Sequence, residues 1–192
     1  MTKGVSITPV FLREALRTSV RKTLSLADFN PAGVLVPVVY VGPSPHLLFT
    51  KRTERVETHK GQVSFPGGMV EPGDRDIVDT ALREAREEIG ITAADAEVLG
   101  LLDDLATPTG FVITPVVALI RAGSSLSPNA DEVAETFEVP LELFAEPSKG
   151  KSEMRIVRGE QREVWHFETG THVVWGATAS IVRSLLRTLR MI

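Results

Sequence analysis

The sequence predicts an α/β fold (α+β in its connectivity): an α/β/α sandwich with helices packed on the faces of a mixed sheet. Three observations point there. Short apolar runs bounded by glycine, proline and asparagine outnumber helical stretches. Helical periodicity appears near each end of the chain and once in the middle. At 192 residues and 43% hydrophobic content, the chain is long enough for one well-buried core.

Near the N-terminus, Thr8 as cap and Pro9 at the first helical position predict a helix whose packed face is Leu12, Ala15, Leu16, Ser19 and Val20. It belongs to an expected helical extension over 1–30, ahead of a domain over 31–192, and serves either docking or a homodimer contact. Arg13 and Glu14 interrupt any secretory apolar run. "VLVPVVYV" (34–41) and "LLFTKR" (47–52) read as strands joined by the turn "GPSPH". "QVSFPGG" is a short strand entering a glycine loop. A helix follows over 75–89, with Asp74 as candidate cap and Gly90 as its C-terminal stop. "AEVLGLLDDL" reads as one strand, "FVITPVVALIR" (111–121) as a central strand, and "ETFEVPL" as a strand ending at Pro140. "EVWHF" and "HVVWG" flank "ETGT" as a hairpin, and "ATASIVRSLLRTL" closes the chain as a helix packed through Ile181, Leu185, Leu186 and Leu189.

Charge and composition exclude several classes. A net charge of −4 without a dense basic run gives nucleic-acid binding no electrostatic support. No apolar run approaches the ~18 residues of a membrane span. The absence of cysteine excludes disulfides and thiol nucleophiles and fits a reducing, cytoplasmic compartment.

The middle helix carries the chemical signal. At about 100° per residue, Glu84, Glu87 and Glu88 fall in one arc, while Val78, Leu82, Ala85 and Ile89 form an apolar stripe. The acids crowd the helix C-terminus, against the macrodipole, at about 0.3–1 kcal/mol each. Glu84 and Glu88 also repel at i, i+4. A divalent cation reverses both signs. Just upstream stands "FPGGMVEPGD", whose paired glycines suit positive φ or close approach to a ligand.

Together these residues resemble the Nudix hydrolase family, whose box reads G-x5-E-x7-R-E-U-x-E-E-x-G-U with U aliphatic. "REAREEIGI" matches the second half, with Arg83, Glu84, Glu87, Glu88 and Gly90 on motif positions. The first half departs: Gly68 to Arg83 is one residue longer, and the first glutamate falls on Asp74, with Glu71 as a rival. "LLFTKRTERVETHKGQVSFPGG" further resembles the signature of the coenzyme A pyrophosphatase subgroup. Arg52, Gly61, Phe65, Pro66, Gly67 and Gly68 match it, Thr53 replaces Ser/Ala, and Glu57 occupies the second arginine position, with Arg55 and Lys60 nearby as substitute cations.

The resemblance implies a Nudix-type α/β/α sandwich that hydrolyses a nucleoside diphosphate linked to another moiety, by attack of water on phosphorus. It implies Mg²⁺ or Mn²⁺ on Glu84, Glu87 and Glu88, hard oxygen donors that suit such ions. Arg83 would orient a box carboxylate, and Glu84, Glu88 or Glu132 would activate water. Arg52, Arg55, Gly61, Phe65, Gly67 and Gly68 would bind substrate, expected to be coenzyme A; ADP-ribose, NADH or a dinucleoside polyphosphate are the alternatives, and a non-catalytic nucleotide-sensing module is a remoter one. His59 reads as structural, Trp165 and Trp175 as paired core aromatics, and 107–110 as a loop over the site.

Overall fold

The computed structural model describes residues 7–54, 61–157 and 159–192. Arg55, Glu57, His59 and Lys60 lie outside them.

Helix α1 (Pro9–Thr18) starts where capping chemistry predicts, with the Thr8 hydroxyl accepting from the Phe11 N–H. It ends earlier than its expected packed face. Ser19 is extended, so Val20 leaves the helix and is 89% exposed, while Leu12 and Leu16 are buried.

Strands β1 (Asn30–Val41), β2 (Ser44–Arg52), β3 (Val63–Ser64), β4 (Gly67–Met69), β5 (Ala96–Leu101), β6 (Leu105–Ala106), β7 (Phe111–Ile120) and β8 (Val133–Pro140) form one sheet. Its spine runs β3-β2-β1-β7-β5; β4 pairs with β1, β6 with β7 and β8 with β2. The β1–β7 pair is parallel and the others antiparallel, so the sheet is mixed as predicted.

Alternation along β1 divides the core. Val34, Val36 and Val38 join the cluster beneath α1 and the C-terminal helix α3 (Gly176–Thr188). Leu35 joins Leu48, Val116, Ala118 and Ile120 beneath helix α2 (Ile77–Ile89). The helix–sheet–helix layering of the sandwich is thus present. Ile181, Leu185, Leu186 and Leu189 are all buried, as their spacing predicts.

Several local expectations change. The turn between β1 and β2 is only Gly42–Pro43, shorter than "GPSPH". The strand expected over "AEVLGLLDDL" breaks after Leu101. Asp104 is drawn into hydrogen bonds from Arg21 (2.6 Å), Thr114 (2.7 Å) and the Leu24 N–H (2.9 Å), and Asp103 accepts from the Lys22 N–H. Buried carboxylates demand such partners, and the ladder yields to them. The predicted hairpin forms from β10 (Glu160–Glu168) and β11 (Val173–Trp175), but with an unanticipated β9 (Gly150–Val157) it makes a second, three-stranded sheet. The two tryptophans do not pair there: Trp175 faces His166 across the ladder, whereas Trp165 lies under the Arg183 guanidinium, 3.4 Å from its ring centre. No helix among the described residues is long and apolar enough to cross a membrane.

Candidate active site

The acid helix is held at both ends by local chemistry. Asp76, not Asp74, is the N-cap: its carboxylate accepts from the Asp79 N–H at 2.9 Å. Gly90 closes the helix in the left-handed conformation, φ +78, and its N–H donates to the Arg86 carbonyl. Ala81, Ala85 and Ile89 are fully buried against the sheet, with Val78 and Leu82 packed beside them.

Asp74 does different work. Its buried carboxylate accepts from Arg83 Nε (3.0 Å) and Nη2 (3.2 Å), from the Thr80 hydroxyl (2.8 Å) and from the Glu71 N–H (2.9 Å). The Arg83 hydrogen bond, first among these, holds its pKa well below the usual carboxylate range. Glu71 is mostly exposed and stands 3.8 Å from Arg83. Asp74 is therefore the closer partner of the two, despite the extra residue in the loop.

Arg83 also donates to Glu84 (2.9 Å), Glu87 (3.1 Å) and the Met69 carbonyl (2.9 Å). Its charge is stabilised above the ordinary arginine value, first by Asp74. One guanidinium thereby ties the glycine strand β4, the loop before α2 and two helix carboxylates into one unit.

Gly67 and Gly68 adopt no positive φ; they pair as strand β4 with β1. Close approach is what requires them. A Cβ on Gly68 would stand 2.3 Å from Glu84 Oε1, and one on Gly67 would stand 2.6 Å from the Gly33 carbonyl oxygen. The Phe65 ring, expected at the substrate, is buried in the core and stacks on Phe49 at 4.6 Å, beneath the loop. Gly61 sits at a turn with φ +64 before β3.

The acids differ sharply in environment. Glu87 is half-exposed and paired with Arg83 and Arg86. Glu84 is half-buried, and burial raises its pKa against the pull of Arg83. Glu88 is only 4% exposed, and burial pushes its carboxyl up to about 7. Arg52 and the Gly67 N–H oppose that rise; Glu84 and Glu132 add to it. Arg52 ends β2, and its buried Nε has no hydrogen-bond partner among the described residues.

Glu132 lies in the segment before β8 and shares the field of Glu84 and Glu88. Thr53 ties that segment to β2: its N–H donates to the Glu132 carbonyl (2.9 Å) and its hydroxyl to the Asp131 carbonyl (2.8 Å). Residues 107–110 form a tight turn into β7, closed by the Phe111 N–H donating to the Thr107 hydroxyl.

Among the described residues, no three carboxylate or imidazole side chains converge tightly enough to hold an ion as they stand. Two of the acids are turned onto Arg83 instead. The helix carboxylates nevertheless fit a hard divalent cation: Glu84 and Glu88 bring like charges together, Glu132 adds to their repulsion, and Glu88 is desolvated with no salt-bridge partner among the described residues.

Sequence reasoning missed two residues in this arrangement, Asp76 and Asn129. Asp76 was legible, since an Asx residue one position before an apolar-periodic run is the stronger cap. Asn129 precedes "ADE", a pattern that reads as a side-chain-stabilised turn.

Comparison with known proteins agrees with this geometry. The NUDIX domain family matches residues 30–158. A protein of Photorhabdus laumondii named Nudix hydrolase NudL is 40% identical over 167 residues, covering 86% of this chain and 89% of its own. Its namesake in Pectobacterium atrosepticum is 45% identical over 159 residues, 80% of each chain. Among solved structures, a MutT/nudix family protein from Enterococcus faecalis superposes with a TM-score of 0.54 at 16% identity, over 94% of this chain and 69% of its own. The Ap4A hydrolase of C. elegans does so at 0.51 and 20% identity, over 58% of this chain and 80% of its own; both show a shared fold. A family match across most of the chain, relatives at 40–45% identity and an acid helix braced by Arg83 lead to one conclusion: this protein is a Nudix hydrolase.

Proposed function

We propose that the enzyme is a metal-dependent pyrophosphatase acting on coenzyme A or a derivative, releasing 4′-phosphopantetheine and adenosine 3′,5′-bisphosphate. The observation that carries this reading is the FPGG loop seated on the acid helix, with Glu84 against Gly68, the Gly67 N–H on Glu88, and the Arg52 charge facing the same carboxyl. Arg52 and the FPGG residues are those that resemble the coenzyme A signature.

Glu84 and Glu88, with Glu87 at the exposed edge, would hold Mg²⁺ or Mn²⁺. When bound, the ion neutralises diphosphate charge and acidifies water. The chain's own residues do the rest. Arg83 acts as a positioning residue, fixing Glu84 through the same guanidinium that Asp74 anchors. Glu132 takes the proton of the attacking water; its carboxylate is oriented by a neutral amide rather than by a cation. As the new P–O bond forms, the P–O–P bridge breaks and its oxygen leaves with the departing phosphate. The Arg52 guanidinium, with one donor unused among the described residues, would bind a diphosphate oxygen. Arg55, Gly61, Gly67 and Gly68 would complete the substrate path, and Phe65 supports it from the core.

The test is chromatography of products after incubation with coenzyme A, dephospho-coenzyme A and ADP-ribose, each with Mg²⁺, Mn²⁺ or chelator. Metal-dependent 4′-phosphopantetheine is the expected result. A second reading keeps the reaction and moves the substrate to ADP-ribose, NADH or a dinucleoside polyphosphate; Glu57 at the signature's second arginine favours it. Much faster turnover of ADP-ribose than of coenzyme A would decide for that reading.

A further inference from the structure

The segment between β7 and β8 closes over the C-terminal end of the acid helix, and one side chain organises it. The last carbonyls of a helix have no partner within it. Here the Ile89 carbonyl accepts from the Ser127 N–H (2.9 Å) and the Glu88 carbonyl from the Asn129 N–H (2.8 Å). The Asn129 carbonyl accepts from the N–H groups of both Glu132 (3.0 Å) and Val133 (2.8 Å). Its side chain is engaged at both ends. Oδ1 accepts from the Asp131 N–H at 3.1 Å, which fixes the amide orientation and leaves Nδ2 to donate to Glu132 Oε1 at 3.4 Å.

From this geometry we infer that Asn129 is a positioning residue of the hydrolytic reaction: it sets the Glu132 carboxylate at a fixed place relative to Glu84 and Glu88. The inference rests on the role proposed above for Glu132. One residue bonds the helix that carries two of the acids and the loop that carries the third, so their separation depends on it. An amide suits the task chemically. A lysine or arginine here would neutralise Glu132 and weaken it as a proton acceptor, whereas an amide orients it through a neutral donor. The contact is also cheap to lose locally. Among the described residues, every other bond of Asn129 is made by backbone or by Oδ1, so removing Nδ2 leaves the segment docked.

Asn129→Asp isolates that one bond. It keeps the backbone pairs and the acceptor for the Asp131 N–H, and replaces donation to Glu132 by repulsion. With the substrate turned over fastest by the native enzyme, kcat is expected to fall by about tenfold or more and KM to stay within about twofold, since a displaced reacting group costs rate rather than binding. In a Glu132→Gln background the same substitution should cost less than about twofold, because coupled residues are not additive. A second readout needs no turnover: in metal-free protein, the Asn129 side-chain NH₂ resonances should move on Glu132→Gln while the fold's other amide resonances stay. Native-like kcat in Asn129→Asp, or an equal loss with and without Glu132, would overturn the positioning role. If Glu132→Gln alone leaves kcat intact, the role proposed for Glu132 fails first and takes the inference with it. An enzyme that cleaves none of the offered diphosphates would instead overturn the substrate reading.

Discussion

Glu88 combines near-complete burial with a carboxyl raised to about 7 from its ordinary 4.5, so its titration should be visible in stability. The folded-state pKa lies above the unfolded one, so the neutral acid favours the fold. That contribution is complete below about pH 4.5 and is lost as pH rises through about 7. In chelator, the Tm of the native protein should therefore fall across this window, and Glu88→Gln, neutral throughout, should flatten the fall. Equal slopes for the two proteins would show that Glu88 is not the group responsible. With Mg²⁺ or Mn²⁺ present, Glu88→Gln should lower kcat by about 100-fold or more, as loss of a metal-holding carboxylate does. The three box glutamates were recognisable as a set from their spacing. Their division into a buried, a half-buried and an exposed acid was not, because Gly67, Arg52 and Glu132 reach Glu88 from three distant segments.

At the scale of elements, the acid helix is stabilised by two terminal residues whose loss should have different consequences. Asp76→Ala removes the cap bond to the Asp79 N–H and should cost about 1 kcal/mol by denaturant titration, with kcat nearly unchanged. Gly90→Ala forces a side chain into φ +78, at about 1–2 kcal/mol, and sets a Cβ 2.9 Å from Ser127 Cβ. That contact should displace the docked segment that carries Asn129 and lower kcat as well as stability. If Gly90→Ala loses stability alone, the helix end and the acid segment are not mechanically linked. The helix, its stripe and its glycine stop follow from local periodicity and were legible. The cap lies two residues later than the sequence predicts because Asp74 and Asp76 are both able acceptors in one short loop, and Arg83 claims the first of them.

For the molecule as a whole, helix α1 shares its core with α3. Leu12 is fully buried in the cluster that includes Ile181, Leu185 and Leu186. Leu12→Ala should therefore cost about 2–5 kcal/mol in equilibrium unfolding, as cavity-forming core substitutions do. A loss below about 1 kcal/mol would mark α1 as an appendage. Removal of metal from the whole enzyme should abolish turnover without unfolding it, because the two apolar clusters, not the acids, hold the sandwich together. Far-ultraviolet circular dichroism with and without chelator checks the second half of that statement.

The sequence by itself determined the layered α/β/α class, the three helices and the acid face, because each rests on spacings of three or four residues or on alternation by two. It also determined the family resemblance, through "FPGG" and "REAREEIGI". Only the tertiary structure decided that β9–β11 leave the main sheet, that Phe65 packs inward beneath its loop, that Asp74 anchors Arg83, and that Asn129 joins the helix end to Glu132. The physical reason is common to all four. Burial and hydrogen-bond choice depend on which distant segments arrive at the same place, and local periodicity carries no record of that meeting.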